Sequence, residues 1–351
     1  MSKFEPDYNH LIDAANNIEP KRIPLYDHNV DAPFLSKVFG IDMLDLATNG
    51  KADDLREYMR RFCGFFLDTG YDTVSFECCI GAAMPGSGSL SGHKPGEIQN
   101  REDFEKYPWD KIEENFFRMY TPYFDLLCEF MPEGMKAVGG VGNGVFECVQ
   151  EITGYQNLCL ISYDDPQLYA ELFTTVGDIN AGIWKRFMET YSDIYAVMRF
   201  GDDLGYKSSS LLSAEDIKKH VIPQYRKITD IVHSYNKPFL LHTCGCIFNV
   251  MDDIIEEAKI DAKHSNEDAI APFTDWIERY GDRIGNFGGI DMDVICRQSP
   301  DEIRAYTLDI LEKSMGHGGV AFGSGNSVPH YVPVEGYYAM TNTIREFRGD
   351  K

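Results

Sequence analysis

Short apolar or β-branched runs, each closing on Gly, Asp, His, Cys or Asn, recur along the chain between longer stretches whose apolar residues return every three or four positions. There are eight: RIPLYDHNVD from Arg22, YDTVSFECCIG from Tyr71, MKAVGGVGNGVFE from Met135, DIYAVMRFGDDLG from Asp193, KPFLLHTCGC from Lys237, IDAKHSNED from Ile260, RIGNFGGIDMD from Arg283 and GGVAFGSGNS from Gly318. A strand buried on both faces reads as a continuous apolar run, and strands alternating with helices predict parallel β-α-β units. Eight of them predict an α/β fold, a single (β/α)8 TIM barrel over residues 21–351, with residues 1–20 as an N-terminal helical extension.

The stretches Asp165 to Tyr191 and Ala214 to Tyr235 carry apolar residues at helical spacing and read as outer helices. Ser213 opens SAED, and Ser299 is followed by Pro300 and Glu302, both helix-start signals. They predict a helix from Ser299 to Met315, and Val334 to Arg348 reads as a terminal helix behind Pro333. The segment Gly81 to Gly96 is too long and Gly-rich for an ordinary connection. It reads either as a lid over the site or as a surface excursion without a role.

Composition narrows the function. With 43% hydrophobic residues in 351, the chain can bury a large core without a disulfide or metal staple. Basic residues number 33 against 56 acidic ones, a net charge of -23, which repels nucleic acid and anionic membranes and favours a neutral or locally basic partner. No apolar run approaches the roughly 18 to 20 residues that span a bilayer. The start MSKFEPDYNHLIDAANN has no secretory pattern and the nine cysteines are an odd number, so a soluble cytoplasmic protein with reduced thiols is expected.

In a parallel barrel, the residues just past each apolar run gather on one face, where catalysis is placed. That rule selects Asp27 and His28, Glu77 and Cys78, Asn143 and Glu147, Asp202 and Asp203, His242 and Cys244, His264 and Glu267, Asp291, and Ser324 and Asn326. His242 and Cys244 share one side of an extended strand and suit part of a zinc site. A buried cysteine beside a hydrogen-bonded histidine is the competing reading. Asp202 and Asp203 offer a base or ligand, or a helix-start device. Asp291 and the Gly323 turn with Ser324 and Asn326 are generic binding signals. Phe62, Phe65, Phe66, Tyr71 and Phe76 could floor an aromatic pocket or be simple core.

Over nearly its whole length the chain resembles the uroporphyrinogen-decarboxylase-like superfamily, and particularly its anaerobic methyltransferase branch. The stretches that carry the likeness are GDDLGYKSSSLLSAEDIKKHVIPQYRKI, HTCG, IDAKHSNED, YGDRIGNFGGIDMDVICR and GSGNSVPHYVPVEGYYAM. The resemblance implies a TIM barrel that either decarboxylates a porphyrinogen or moves a methyl group between a substrate and a corrinoid (cobalamin) protein. Decarboxylases carry an Arg-rich motif after the first strand, where this chain has YDHNVDAPF from Tyr26 without arginine. The thiol-acceptor methyltransferases bind zinc through His, Cys and a second Cys in a late glycine turn, a place held here by Ser324. A carboxylate such as Glu77 or Asp202 would then supply the third bond, or the metal is absent.

The remaining expectation is the donor-side component, which passes a methyl group, preferably from a phenyl methyl ether, to the cobalamin of a partner. Its implied catalytic residues are His28, Asp202, Asp203 and His264. Tyr26, Glu77, Asn143, Asp291, Ser324 and Asn326 bind substrate, and His242 and Cys244 hold zinc. A metal-free binding barrel is the rival of a different class.

Overall fold

The computed structural model describes residues 4–92 and 94–350; His93 of the Gly81–Gly96 segment and the first three residues of the expected N-terminal extension lie outside the described residues. Seven of the eight apolar runs form strands: β1 Thr73–Cys79, β2 Lys136–Gly142, β3 Tyr195–Gly201, β4 Phe239–His242, β5 Ala262–His264, β6 Gly285–Ile290 and β7 Val320–Ser324. They pair in parallel in chain order, β1 to β7, as one curled sheet. Six of the seven are buried almost end to end, and every residue of β3 is buried, as a sheet covered on both faces requires.

The first run departs from the expected eighth strand. Leu25 makes a single parallel bridge to Phe322 of β7, with Tyr26 N–H donating to the Phe322 carbonyl at 2.9 Å and Phe322 N–H to the Pro24 carbonyl at 3.0 Å. On its other side, Ser75 Oγ of β1 donates to the His28 carbonyl at 2.6 Å. Pro24 has no N–H to offer a ladder, so the segment touches both edge strands without becoming one. Gly323 allows the approach, since a Cβ there would lie 1.8 Å from the Tyr26 carbonyl oxygen.

The helices follow their sequence signals. Helix Pro166–Tyr191 is capped by Asp165, which accepts from Leu168 N–H at 2.9 Å, and its Trp184 and Phe187 lie over Gly140 of β2, where a Cβ would come within 3.0 Å of the Phe187 ring. Ser299 and Glu302 complete a capping box for helix Pro300–Ser314. The expected helix after Ser213 runs unbroken to Ser234 but changes pitch: α over Ala214–Asp216, a wider π turn over Ile217–Val221, then α over Ile222–Ser234. Pro223 near the start of the last piece explains the change, because it has no N–H to give the regular α ladder.

Among the described residues of the expected N-terminal extension, Asn9–Ala15 is the helical part. Its Leu11, Ala14 and Ala15 pack into a small core with Val138, Ala196, Leu240, Ala262 and Ala321 of the strands. Ala14 sits beside Gly285 and Gly319, at the beginnings of β6 and β7, so the helix covers the end of the sheet opposite the strand C-termini. The Gly81–Gly96 segment is fastened to helix Val145–Thr153, with Ser89 N–H donating to the Glu151 carbonyl at 3.4 Å, and to the turn after Lys106, with Tyr107 OH donating to the Pro85 carbonyl at 2.7 Å. Phe62, Phe65, Phe66, Tyr71 and Phe76 are core, packed edge to face on one another. Among the described residues, no helix is long and apolar enough to cross a membrane.

Candidate functional site

His242 closes β4 and His264 closes β5, and the two are register partners. Their rings meet edge to edge, Nδ1 to Nδ1 at 2.7 Å, and His264 Nε2 lies 3.0 Å from the Ser324 carbonyl oxygen. His28, from the bridging segment, stacks flat on His242, centroids 3.6 Å apart at 11°. Tyr26 stands edge-on to His264. Burial above all holds the three imidazoles below the usual histidine range, His264 at about 3, so all three are neutral at pH 7.

Beneath them lies a residue that the sequence reading passed over. Arg199, inside β3, has no exposed surface; it donates to Glu77 Oε2 at 3.0 Å, Tyr26 OH at 2.9 Å and Ser75 Oγ at 2.7 Å. Glu77 Oε1 in turn lies 3.7 Å from His28 Nε2. The available signal was a lone charge in the otherwise apolar strand YAVMRFG, since a fully buried arginine needs a partner.

Past the end of β4, Cys244 Sγ is 3.4 Å from His242 Nε2, and Asp203 Oδ1 is 3.7 Å from the same nitrogen. Asp203 Oδ1 also accepts from Cys244 N–H at 2.9 Å, which ties the two loops together. Asn326 Nδ2 and Ser265 Oγ approach the sulfur at 3.3 and 3.6 Å. Burial, then the charge of Asp203, pushes the Cys244 thiol well up, so a thiolate there calls for a cation beside it.

Among the described residues, two overlapping groups place donor atoms within 4.8 Å of one another: His28, His242 and His264, and Asp203, His242 and Cys244. In the first, both nitrogens of His264 are already engaged. In the second the three donor atoms lie together, and tetrahedral zinc with bonds of about 2.0 to 2.3 Å has ligand-to-ligand edges of about 3.3 to 3.8 Å. The 3.4 and 3.7 Å separations fit that ion. The carboxylate that lies with His242 and Cys244 is Asp203, where the sequence pointed to Glu77 or Asp202.

Other candidates are placed elsewhere. Asp202 turns onto the start of helix Val145–Thr153, accepting from Phe146 N–H at 2.9 Å, Glu147 N–H at 2.7 Å and Tyr225 OH at 2.5 Å. Burial raises its carboxyl to about 7. Asn143, at φ 61°, donates to Glu147 Oε2 at 2.7 Å and accepts from Gly81 N–H at 3.2 Å. Ser324 Oγ is tied to Asp27 Oδ1 and the Asn326 carbonyl, both at 2.5 Å, so its side chain faces away from His242. Asp27 is held by Ser324 and by the hydroxyls of Tyr71 and Tyr337.

Asp291 caps helix Met292–Arg297 and accepts from Asp268 N–H at 2.8 Å. It also lines a cleft of about 500 Å³ with Lys207, Glu267, Met292, Asn326 and Tyr331. Asn326 belongs both to the cleft and to the Cys244 contacts, so the two adjoin. A larger cavity of about 710 Å³, at the other end of the sheet beside Asn17 and His317, has neither donor group near it and is set aside as a site.

The chain is similar over 98% of its length to 99% of a methyltransferase from Methanosarcina mazei, at 15% identity and a TM-score of 0.70. It is similar over 93% of its length to 98% of a Listeria monocytogenes protein assigned as a vitamin-B12 independent methionine synthase, at 12% identity and a TM-score of 0.54. At such identities these likenesses establish a shared fold. No curated protein matches the chain in sequence. The profile of the family described as uroporphyrinogen decarboxylase (URO-D) matches residues 93–347, a span that holds β2 to β7 and all of the Asp203, His242 and Cys244 cluster, and the chain therefore belongs to that family.

Proposed function

We propose that the protein is a methyltransferase that takes a methyl group from a donor, preferably a phenyl methyl ether, and delivers it to the cobalt of a corrinoid carried by a separate protein. The observation that carries this reading is the trio of His242 Nε2, Cys244 Sγ and Asp203 Oδ1 at metal-ligand spacing, beside a cleft at the strand C-termini. The family membership and a fold shared with a methyltransferase support it. Decarboxylation is disfavoured by the absence of arginine from Tyr26 to Phe34.

These three side chains would hold zinc, which when bound supplies a Lewis acid for the ether oxygen. The rest of the task falls to the chain. Met292 and Tyr331 offer apolar surface to an aromatic ring, and Lys207, the only basic residue lining the cleft among those described, is the one side chain there that can offset the charge of a departing phenolate amid Glu267, Asp268, Asp291 and Asp293. Glu77 and Arg199 hold His28 in place, and the His28 ring fixes the plane of His242. The open mouth leaves the donor methyl accessible to a docked corrinoid domain.

The test is metal analysis of the purified protein, together with methyl transfer from guaiacol-type ethers to Co(I) corrinoid, followed by loss of the Co(I) absorbance. Zinc at one per chain and turnover with an ether are expected. His242→Ala combined with Cys244→Ala should abolish metal binding and leave the circular dichroism of the barrel intact. If no ether, amine or thioether donor transfers a methyl group, the reading is wrong.

A further inference from the structure

The Ser324 carbonyl, His264 and His242 form one chain of hydrogen bonds, with contacts of 3.0 Å and 2.7 Å. A carbonyl oxygen only accepts, so His264 Nε2 must carry a hydrogen. Two nitrogens 2.7 Å apart share a single proton, because two N–H groups facing each other at that distance would clash. Placing that proton on His264 would make it an imidazolium with no exposed surface. Its neighbours there are a backbone carbonyl, the rings of His28, His242 and Tyr26, the cationic Arg199 and the basic Lys263. A buried cation without a carboxylate against it is strongly disfavoured.

We infer that the Ser324 carbonyl and His264 together lock His242 in its Nδ1–H tautomer, which leaves the Nε2 lone pair bare and facing Cys244 Sγ and Asp203 Oδ1. His264 is then a positioning residue, and Ser324 acts through its main chain, its hydroxyl being committed to Asp27. In the metal-free protein the Cys244 thiol donates to Nε2 across 3.4 Å, so the lone pair is kept available until a cation replaces that proton. The inference rests on the metal-binding reading only for its purpose; the tautomer itself follows from the hydrogen bonds. Partners of this kind around a metal ligand alter metal affinity by roughly 10 to 100-fold.

Long-range ¹H–¹⁵N correlation spectra of metal-free protein labelled in histidine nitrogen test it directly. Nδ1 of His242 should be protonated and Nε2 bare, with the reverse in His264; finding Nε2–H on His242 would overturn the assignment. Zinc affinity, read by competition with a chromophoric chelator, gives the second arm. His264→Leu should weaken binding about 10 to 100-fold, His264→Asn, which restores an acceptor at the Nδ1 position, should recover most of it, and Ser324→Ala should leave it unchanged. Equal zinc affinity in wild type and His264→Leu would remove the positioning role. Should His264→Leu not fold, the spectrum of the wild type decides. A wild type that binds zinc but shows the other tautomer fails this inference alone; one that binds no zinc through His242 and Cys244 fails the metal reading, whatever its tautomer.

Discussion

Arg199 is held by three acceptors inside the sheet, and Glu77, its ion partner, is nearly buried as well. Removing one member of such a pair leaves the other charge unpaired in low dielectric. Arg199→Met should therefore lower the unfolding free energy by about 3 kcal/mol, with Arg199→Met/Glu77→Gln recovering at least half, as read by urea denaturation at pH 7. His233 offers a milder case. Its hydrogen bond to Asp261, 2.7 Å long, raises its pKa above 6.5. Raised in the folded state, it contributes stability that is whole below pH 6.5 and lost as pH climbs past the folded value. The half-exposed pair is screened, so His233→Gln should cost about 0.5 kcal/mol at pH 5.5 and nothing measurable at pH 9. At this scale the sequence was readable where parity and strand position sufficed, as for His242 and Cys244. It could not separate Asp202 from Asp203. Which of two adjacent carboxylates turns toward the site depends on where helix Val145–Thr153 begins, about 56 residues away in the chain, and that is a tertiary fact.

The helices were the most legible elements, because their starts are local chemistry: Ser299 with Glu302, and Asp165 with Pro166. Ser299→Ala should cost about 1 kcal/mol in thermal or urea unfolding and Ser299→Gly only a few tenths. Seven strands were equally plain from their buried apolar runs. The first run misled because its apolar pattern is right but Pro24 denies it a ladder, so pattern predicts burial and hydrogen bonding decides strand identity. Its attachment depends on the bare backbone of β7. Gly323→Ala would drive a Cβ into the Tyr26 carbonyl, and a loss of about 3 kcal/mol is expected in the same unfolding assay.

Across the whole molecule, the -23 charge is a field rather than a contact. It opposes compaction by self-repulsion and is screened by salt over about 8 to 10 Å at 0.1 to 0.15 M. Thermal midpoints should rise by a few degrees between 10 mM and 0.5 M sodium chloride; a fall would mean that local ion pairs outweigh the net field. If the proposed corrinoid protein is the partner, the same field requires it to present a neutral or basic face, and association with a basic one should slow as salt is added.

The segment from Leu25 to Val30 joins β7 and the turn after it by two isolated bridges, Leu25 to Phe322 and Val30 to Val328, and reaches β1 through the Ser75 hydroxyl on the His28 carbonyl, joins thinner than those between neighbouring strands. A seam of this kind opens in sub-global fluctuations long before the body of the sheet lets go. In hydrogen exchange, the amide of Tyr26 should lose protection at far lower free energy than those of β2 and β3. The segment that peels away carries His28, while His242, Cys244 and Asp203 stay on the side of β3 and β4. Breathing at the seam therefore uncovers the face of His242 without dismantling the donor cluster, and gives a metal ion or a small reactant a second, intermittent way in besides the cleft.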